Sequence, residues 1–187
     1  MGRYLLEFPT LEWTYPEDRD KTDMTTIHVY TDSDWAGCIR TRKSTSGGMV
    51  TLGGGVSLKH WSSTQTSIAL SSGEAEFVAL VKAATEGMAV QALAAELGWI
   101  LNLVVLVDSA TAKAIASRSG VGKVRHLEVK TLWVQAALKE GRFALMKVPG
   151  RQNPANIFTK PLGLKDFEVD LLRVGARPVR RLAKNDL

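Results

Sequence analysis

Cysteine is almost absent: Cys38 stands alone among 187 residues. That excludes an internal disulfide and a cysteine-built zinc site, and it fits an intracellular, reducing setting. Histidine is scarce as well, with only His28, His60 and His126, and no serine, cysteine and histidine triad of the kind used in covalent catalysis is in view. No uninterrupted apolar run reaches the eighteen or so residues of a membrane span. The stretch Trp99–Val107 is too short and runs into Asp108, so no membrane partner is expected. The N-terminus, MGRYLLEFPTLEW, places acidic and aromatic residues where a secretion signal would have its apolar core. Internal repeats and low-complexity tracts are missing too.

What is present is an ordinary globular composition, 45% hydrophobic and 23% charged, long enough for one domain with a substantial core and short extensions. The net charge of +5 is unevenly spread: residues 1–24 hold six acids against three bases, so the remainder carries +8. An excess of that sign favours a polyanionic partner such as nucleic acid.

Residues 1–25 contain Pro9, Pro16 and the polar run PEDRDKTD, and read as a linker. Regular signals begin with IHVYTD (27–32), whose alternation and β-branched residues predict a strand. MVTLGG (49–54) and VSLKHWS (56–62) follow TRKSTSGG as two more strands of an antiparallel meander. Residues 71–98 are alanine-rich, open with serine capping candidates and close at Gly98, which predicts a long helix. LVVLVD (103–108) has the near-continuous apolar character of a strand buried on both faces. Residues 109–120 and 126–141 read as helices and 142–150 as a strand, and NPANIFTKPL (153–162) begins a last short helix; the tail GARPVRRLAKNDL lacks an apolar face. The order βββ-α-β-α-α-β-α implies an α/β fold with a mixed five-stranded sheet.

Three acids lie where metal-dependent phosphoryl chemistry would need them. Asp32 ends the first strand, Glu74 sits in the first turn of the long helix, and Asp108 closes the buried strand. Magnesium prefers oxygen ligands, and two ions about 3.5–4 Å apart can stabilise the attacking and leaving oxygens of a phosphoryl displacement. An acid at the rim of an apolar sheet is costly unless it is paired or binds metal. Taken singly, Asp108 could simply cap the helix at Ser109, and Glu74 could complement a helix dipole.

The blocks YTDSDWAGC, TRKSTSGG, ALSSGEAEFVAL, VDSATA, RHLEVK and NPANIFTKPL resemble, in order and spacing, the ribonuclease H domain of copia-type long-terminal-repeat retroelements. The resemblance covers roughly residues 26–165 and leaves 166–187 as a basic extension. It implies a ribonuclease H-like fold, cleavage of the RNA strand of RNA–DNA hybrids, two Mg²⁺ ions with Mn²⁺ as a substitute, and an upstream reverse transcriptase in the same polyprotein. It also makes Asp32, Glu74 and Asp108 metal ligands, with Glu76 as runner-up to Glu74. Residues two apart on a helix do not share a face, so only one of that pair should reach the metals. At the family's fourth acidic position this chain has Asn156, whose amide offers an oxygen but no charge. A hybrid-binding domain with weakened or lost catalysis is the alternative. The segment VPGRQNPAN lacks the histidine that cellular relatives carry there.

Ser33, Arg42, Lys43, Gln65, Ser71, Ser72 and His126 are candidates to touch the nucleic acid. Bases can meet phosphates, and hydroxyl and amide groups can sense the RNA 2′-hydroxyl. Asp34 is expected in a structural turn, and the five tryptophans in the core or a groove wall.

Overall fold

The computed structural model describes residues 10–15, 23–120 and 131–179. Strand β2 (Thr26–Asp34) follows a short β1 (Leu11–Trp13) and buries Ile27 and Val29 completely. The meander continues through β3 (Thr45–Leu52) and β4 (Val56–Thr64), both antiparallel to their neighbours. Strands β5 (Asn102–Val107) and β6 (Ala144–Lys147) join by parallel pairing, giving the order β4-β3-β2-β5-β6. The mixed sheet is the one that the pattern of elements implies. Its register positions two of the acids: Thr26 pairs with Asn102 and Thr31 with Val107, so Asp32 and Asp108 emerge together at the carboxyl ends of adjacent parallel strands.

Helix α1 (Ser72–Glu96) covers one face of this sheet. Phe77, Leu80, Ala83 and Ala84 are buried there with Val29, Val50, Leu103 and Val105. Gly87 lets the helix lie close, since a Cβ would stand 2.7 Å from both Val29 and Leu103. Length and mean hydropathy alone would suit α1 to a membrane span, but its buried face makes it the central core helix of the domain. Helix α2 (Ala110–Ser117) and helix α3 (Trp133–Lys139) complete this side. The helix expected over 126–141 is described from Trp133 onward; His126 lies outside the described residues.

The opposite face departs from the sequence-based expectation. Residues 153–162 form a 3-10 segment, Pro154–Phe158, after a 3-10 turn at Gly150–Gln152. Proline at 154 and again at 161 leaves too little uninterrupted chain for an α-helix. The last helix starts later than expected, as α4 (Leu164–Arg173), and brings Leu171 onto Met49, with Phe158 and Phe167 packed alongside. The second face of the sheet is therefore covered by the 3-10 segment, with helix α4 packed beside it. The tail continues into β7 (Ala176–Pro178), which pairs antiparallel with β1 in the lead-in. Three-residue strands carry no readable periodicity, which is why both flanks read as irregular. Trp13 of this ribbon stacks on His60 at 5.3 Å between ring centroids, and His60 on Phe158 at 5.5 Å.

Candidate metal centre

Asp32 is wholly buried at the end of the central strand. A buried carboxylate is tolerated only where its oxygens find donors. The Thr159 hydroxyl donates to Oδ2, and the Lys160 ammonium donates to Oδ1 at 3.0 Å. Both donors come from the end of the 3-10 segment, which lies flat on β3 because Gly47 has no side chain; a Cβ there would come within 2.6 Å of Thr159 and 2.8 Å of Phe158. Asp32, Glu76 and Asp108 each place a carboxylate oxygen within 4.8 Å of the others. Burial first, and then the charge of Asp32, push the carboxyls of Glu76 and Asp108 upward, Glu76 to about 8. Lys160 pulls both the other way, and the Ser33 backbone helps to hold the ionised form of Glu76. Asp108 is not a helix cap, because the Ser109 hydroxyl takes that role by accepting from Ala112 N–H at 3.1 Å.

The acid from α1 is Glu76, and not Glu74. Glu74 turns back over the helix start, where its Oε2 accepts from Leu70 N–H at 2.6 Å, while Ser71 caps the helix by accepting from Glu74 N–H at 3.2 Å. This is close to the reciprocal capping box written S-x-x-E. The signature Ser71-Ser72-Gly73-Glu74 is readable in the sequence. It assigns the first acid to the helix terminus and leaves the second free. The two glutamates do point to different places, as helical geometry requires.

Asn156 stands beside the carboxylates rather than among them. Its Nδ2 donates to the carbonyls of Gly150 and Asn153, both at 2.8 Å, and its Oδ1 accepts from Lys160 Nζ at 3.1 Å. The amide oxygen, the atom with which it could serve a metal, is spent on an ammonium. Lys160, Thr159 and Asn153 also build the site, although no local pattern in the sequence marks them. Asn153 is fully buried and ties the segment to the sheet, donating to Thr31 O at 2.8 Å and accepting from Ala155 N–H at 3.1 Å.

The other candidates scatter around this centre. Ser71 and Ser72 are exposed at the start of α1, Ser71 with its oxygen already engaged as the cap. Gln65 is buried and structural, donating to Ser46 Oγ and Ala75 O. Ser33 is buried next to Asp32, with a hydroxyl that has no hydrogen-bond partner among the described residues. Arg42 is exposed in the β2–β3 turn, with Lys43 half-buried beside it. Asp34 accepts from Thr45 N–H, the structural role expected of it. Trp61 is buried, whereas Trp13, Trp35 and Trp99 are exposed, and Trp35 is held by its indole N–H donating to Ala69 O at 3.1 Å.

Hard divalent cations take carboxylate oxygens, and the centre fits them. It offers three such groups, one wholly buried, with two carboxyls raised first by burial and then by the charge of Asp32, which a cation would offset.

The crystal structure of LC11-RNase H1 in complex with RNA/DNA hybrid superposes with a TM-score of 0.51 at 20% identity, over 71% of this chain and 93% of that one. The fold is that of ribonuclease H. In sequence, the chain is 31% identical over 142 residues, 75% of its length, to the retrovirus-related Pol polyprotein from transposon TNT 1-94 of Nicotiana tabacum. It is 26% identical over 166 residues, 85% of its length, to that from transposon RE1 of Arabidopsis thaliana. The chain spans 11% of the length of each of these relatives. No family model matches it. Its homologues are thus the Pol polyproteins of plant retrotransposons, in line with the retroelement resemblance carried by the six blocks.

Proposed function

We propose that the chain hydrolyses the RNA strand of RNA–DNA hybrids, as the ribonuclease H segment of a retroelement polyprotein. The observation that carries this reading is the convergence of Asp32, Glu76 and Asp108 within 4.8 Å at one edge of the sheet. Mg²⁺, or Mn²⁺ in its place, held there would polarise the scissile phosphate and offset the charge that builds on the attacking and leaving oxygens. In the reaction, water adds to phosphorus, the bond to the 3′-oxygen breaks, and that oxygen takes up a proton. The products end in a 5′-phosphate and a 3′-hydroxyl.

The protein's part is placement. Thr159 and Lys160 fix the rotamer of Asp32, and the Ser33 backbone helps to hold Glu76. Ser71 and Ser72, at the positive end of α1, lie where they can meet the sugar–phosphate of the strand being cut. Arg42 and Lys43 can hold phosphates further out. The task in the cell would be removal of template RNA during reverse transcription, with the polymerase upstream in the same polyprotein.

Cleavage of an end-labelled hybrid tests this. We expect cutting of the RNA strand in Mg²⁺, none in excess chelator, and none from Asp108→Asn, with single-stranded RNA and duplex DNA left intact. Cutting that survives chelation would overturn the metal mechanism.

A further inference from the structure

We propose that Lys160 is a built-in second cation: its ammonium occupies the place between Asp32 and Asn156, so that this chain takes up one divalent ion where two would otherwise be held. The inference rests on the proposed hydrolytic function and concerns how the charge at the site is supplied. Lys160 Nζ lies 3.0 Å from Asp32 Oδ1 and 3.1 Å from Asn156 Oδ1. An ion shared by those two oxygens would have to displace it. Asn156 is not free to turn its nitrogen inward, because Nδ2 is committed to two carbonyls at 2.8 Å. Its oxygen therefore faces the ammonium.

The lysine is also well placed to stay. Its neighbour Thr159 bonds Asp32, Pro161 fixes the backbone that follows, and the lysine itself is a compact point charge rather than a planar fork. An ammonium has three donors, and two are engaged here. The side chain is 42% exposed, and it borders an open cleft of about 580 Å³ lined also by Arg151 and by Arg173, Asp166 and Asp170, Arg173 being paired with Asp170. A phosphate oxygen arriving through that cleft can meet the third donor. The remaining acids, Glu76 and Asp108 with the shared Asp32, form the single centre for a divalent ion. Asparagine at 156 and lysine at 160 then work as a pair. One removes a negative charge, and the other supplies a positive one.

Counting bound Mn²⁺ on the full chain, by calorimetry and by electron paramagnetic resonance, tests the proposal. We expect one ion on the unmodified chain and still one on Asn156→Asp, where a second carboxylate merely grips the lysine harder. The double variant Asn156→Asp with Lys160→Gln should take up two. Glutamine can still donate to Asp32, so the contact survives without the charge, and a thermal melt shows whether the variant folds. Should it not fold, the first two counts still decide. Two ions on the unmodified chain, or a second ion gained by Asn156→Asp alone, would overturn the proposal and leave hydrolysis standing. No ion on a chain that also leaves the hybrid uncut would overturn the hydrolytic reading, and this inference with it.

Discussion

The two sides of the site are built by different means. Asp32, Glu76 and Asp108 project from the ends of two long-range-paired strands and the first turns of a 25-residue helix, all anchored in the larger core. Across from them, Asn156 belongs to a short 3-10 segment, directly followed by Thr159 and Lys160 and backed by the smaller cluster around Met49 and Leu171. Carboxylates that repel one another have to be held by elements that cannot yield. The groups that offset their charge ride on a segment fastened by a handful of side-chain hydrogen bonds. Rigidity has gone to the acids, and the adjustable contacts to their partners.

The largest effect expected from this division separates two neighbouring glutamates. Glu76→Gln removes a carboxylate from the rigid side, and hybrid cleavage should fall by more than about a hundredfold, beyond the range typical of outer-shell metal partners. Glu74→Gln should leave cleavage within a few-fold and cost less than about 1 kcal/mol of stability, because glutamine can still accept from Leu70 N–H in the capping box. Steady-state rates and urea melts on both variants measure this. If Glu74→Gln is the inactive one, the assignment of the metal-side acid is reversed.

That pair also shows how far the sequence could be read. The strand order, the long helix and the two strand-end acids were legible because each rests on a local pattern: alternation, alanine content, or a charge closing an apolar run. The S-x-x-E box bears on the choice between Glu74 and Glu76 as well, since it ties the first acid to the helix start. The 3-10 segment was not legible. Its geometry depends on Gly47 clearing space on β3 and on Asn153 reaching Thr31, contacts between residues far apart in the chain. Nor could the pattern announce β1 and β7, whose three residues apiece become strands only by pairing with each other.

The second effect is a pH dependence of the metal-free protein, and its sign follows from Glu76. Burial and the neighbouring acids raise this carboxyl from 4.5 to about 8, so the folded state holds the proton more tightly than the unfolded chain does. Stability from the protonated form is complete below about 4.5 and is lost as pH rises through about 8. Asp108 shifts in the same direction. In chelator, the urea midpoint should therefore fall across that window. Glu76→Gln should flatten most of the fall, and Mg²⁺ should offset it by neutralising the ionised acids. A midpoint that stays level or climbs in chelator would mean that neither burial nor the neighbouring acids hold a proton on Glu76, against the rigid side of the comparison.

The smallest effect probes the joint between the two sides. Asn153 ties the start of the 3-10 segment to β2: its amide serves Thr31 O, and its oxygen caps Ala155 N–H, both away from water. Asn153→Ala leaves that carbonyl and that N–H without their partners, at a cost of about 1–3 kcal/mol. The damage should fall unevenly. Asp32, Glu76 and Asp108 keep their own anchorage, so Mn²⁺ should bind the variant with affinity close to that of the unmodified chain. Cleavage should drop, because Thr159 and Lys160 no longer meet Asp32 in a fixed position. Calorimetry of Mn²⁺ binding beside hybrid cleavage reads the two sides separately. If ion binding and cleavage fall together, the acids depend on the segment for their placement, and the site is one unit rather than a rigid half facing an adjustable one.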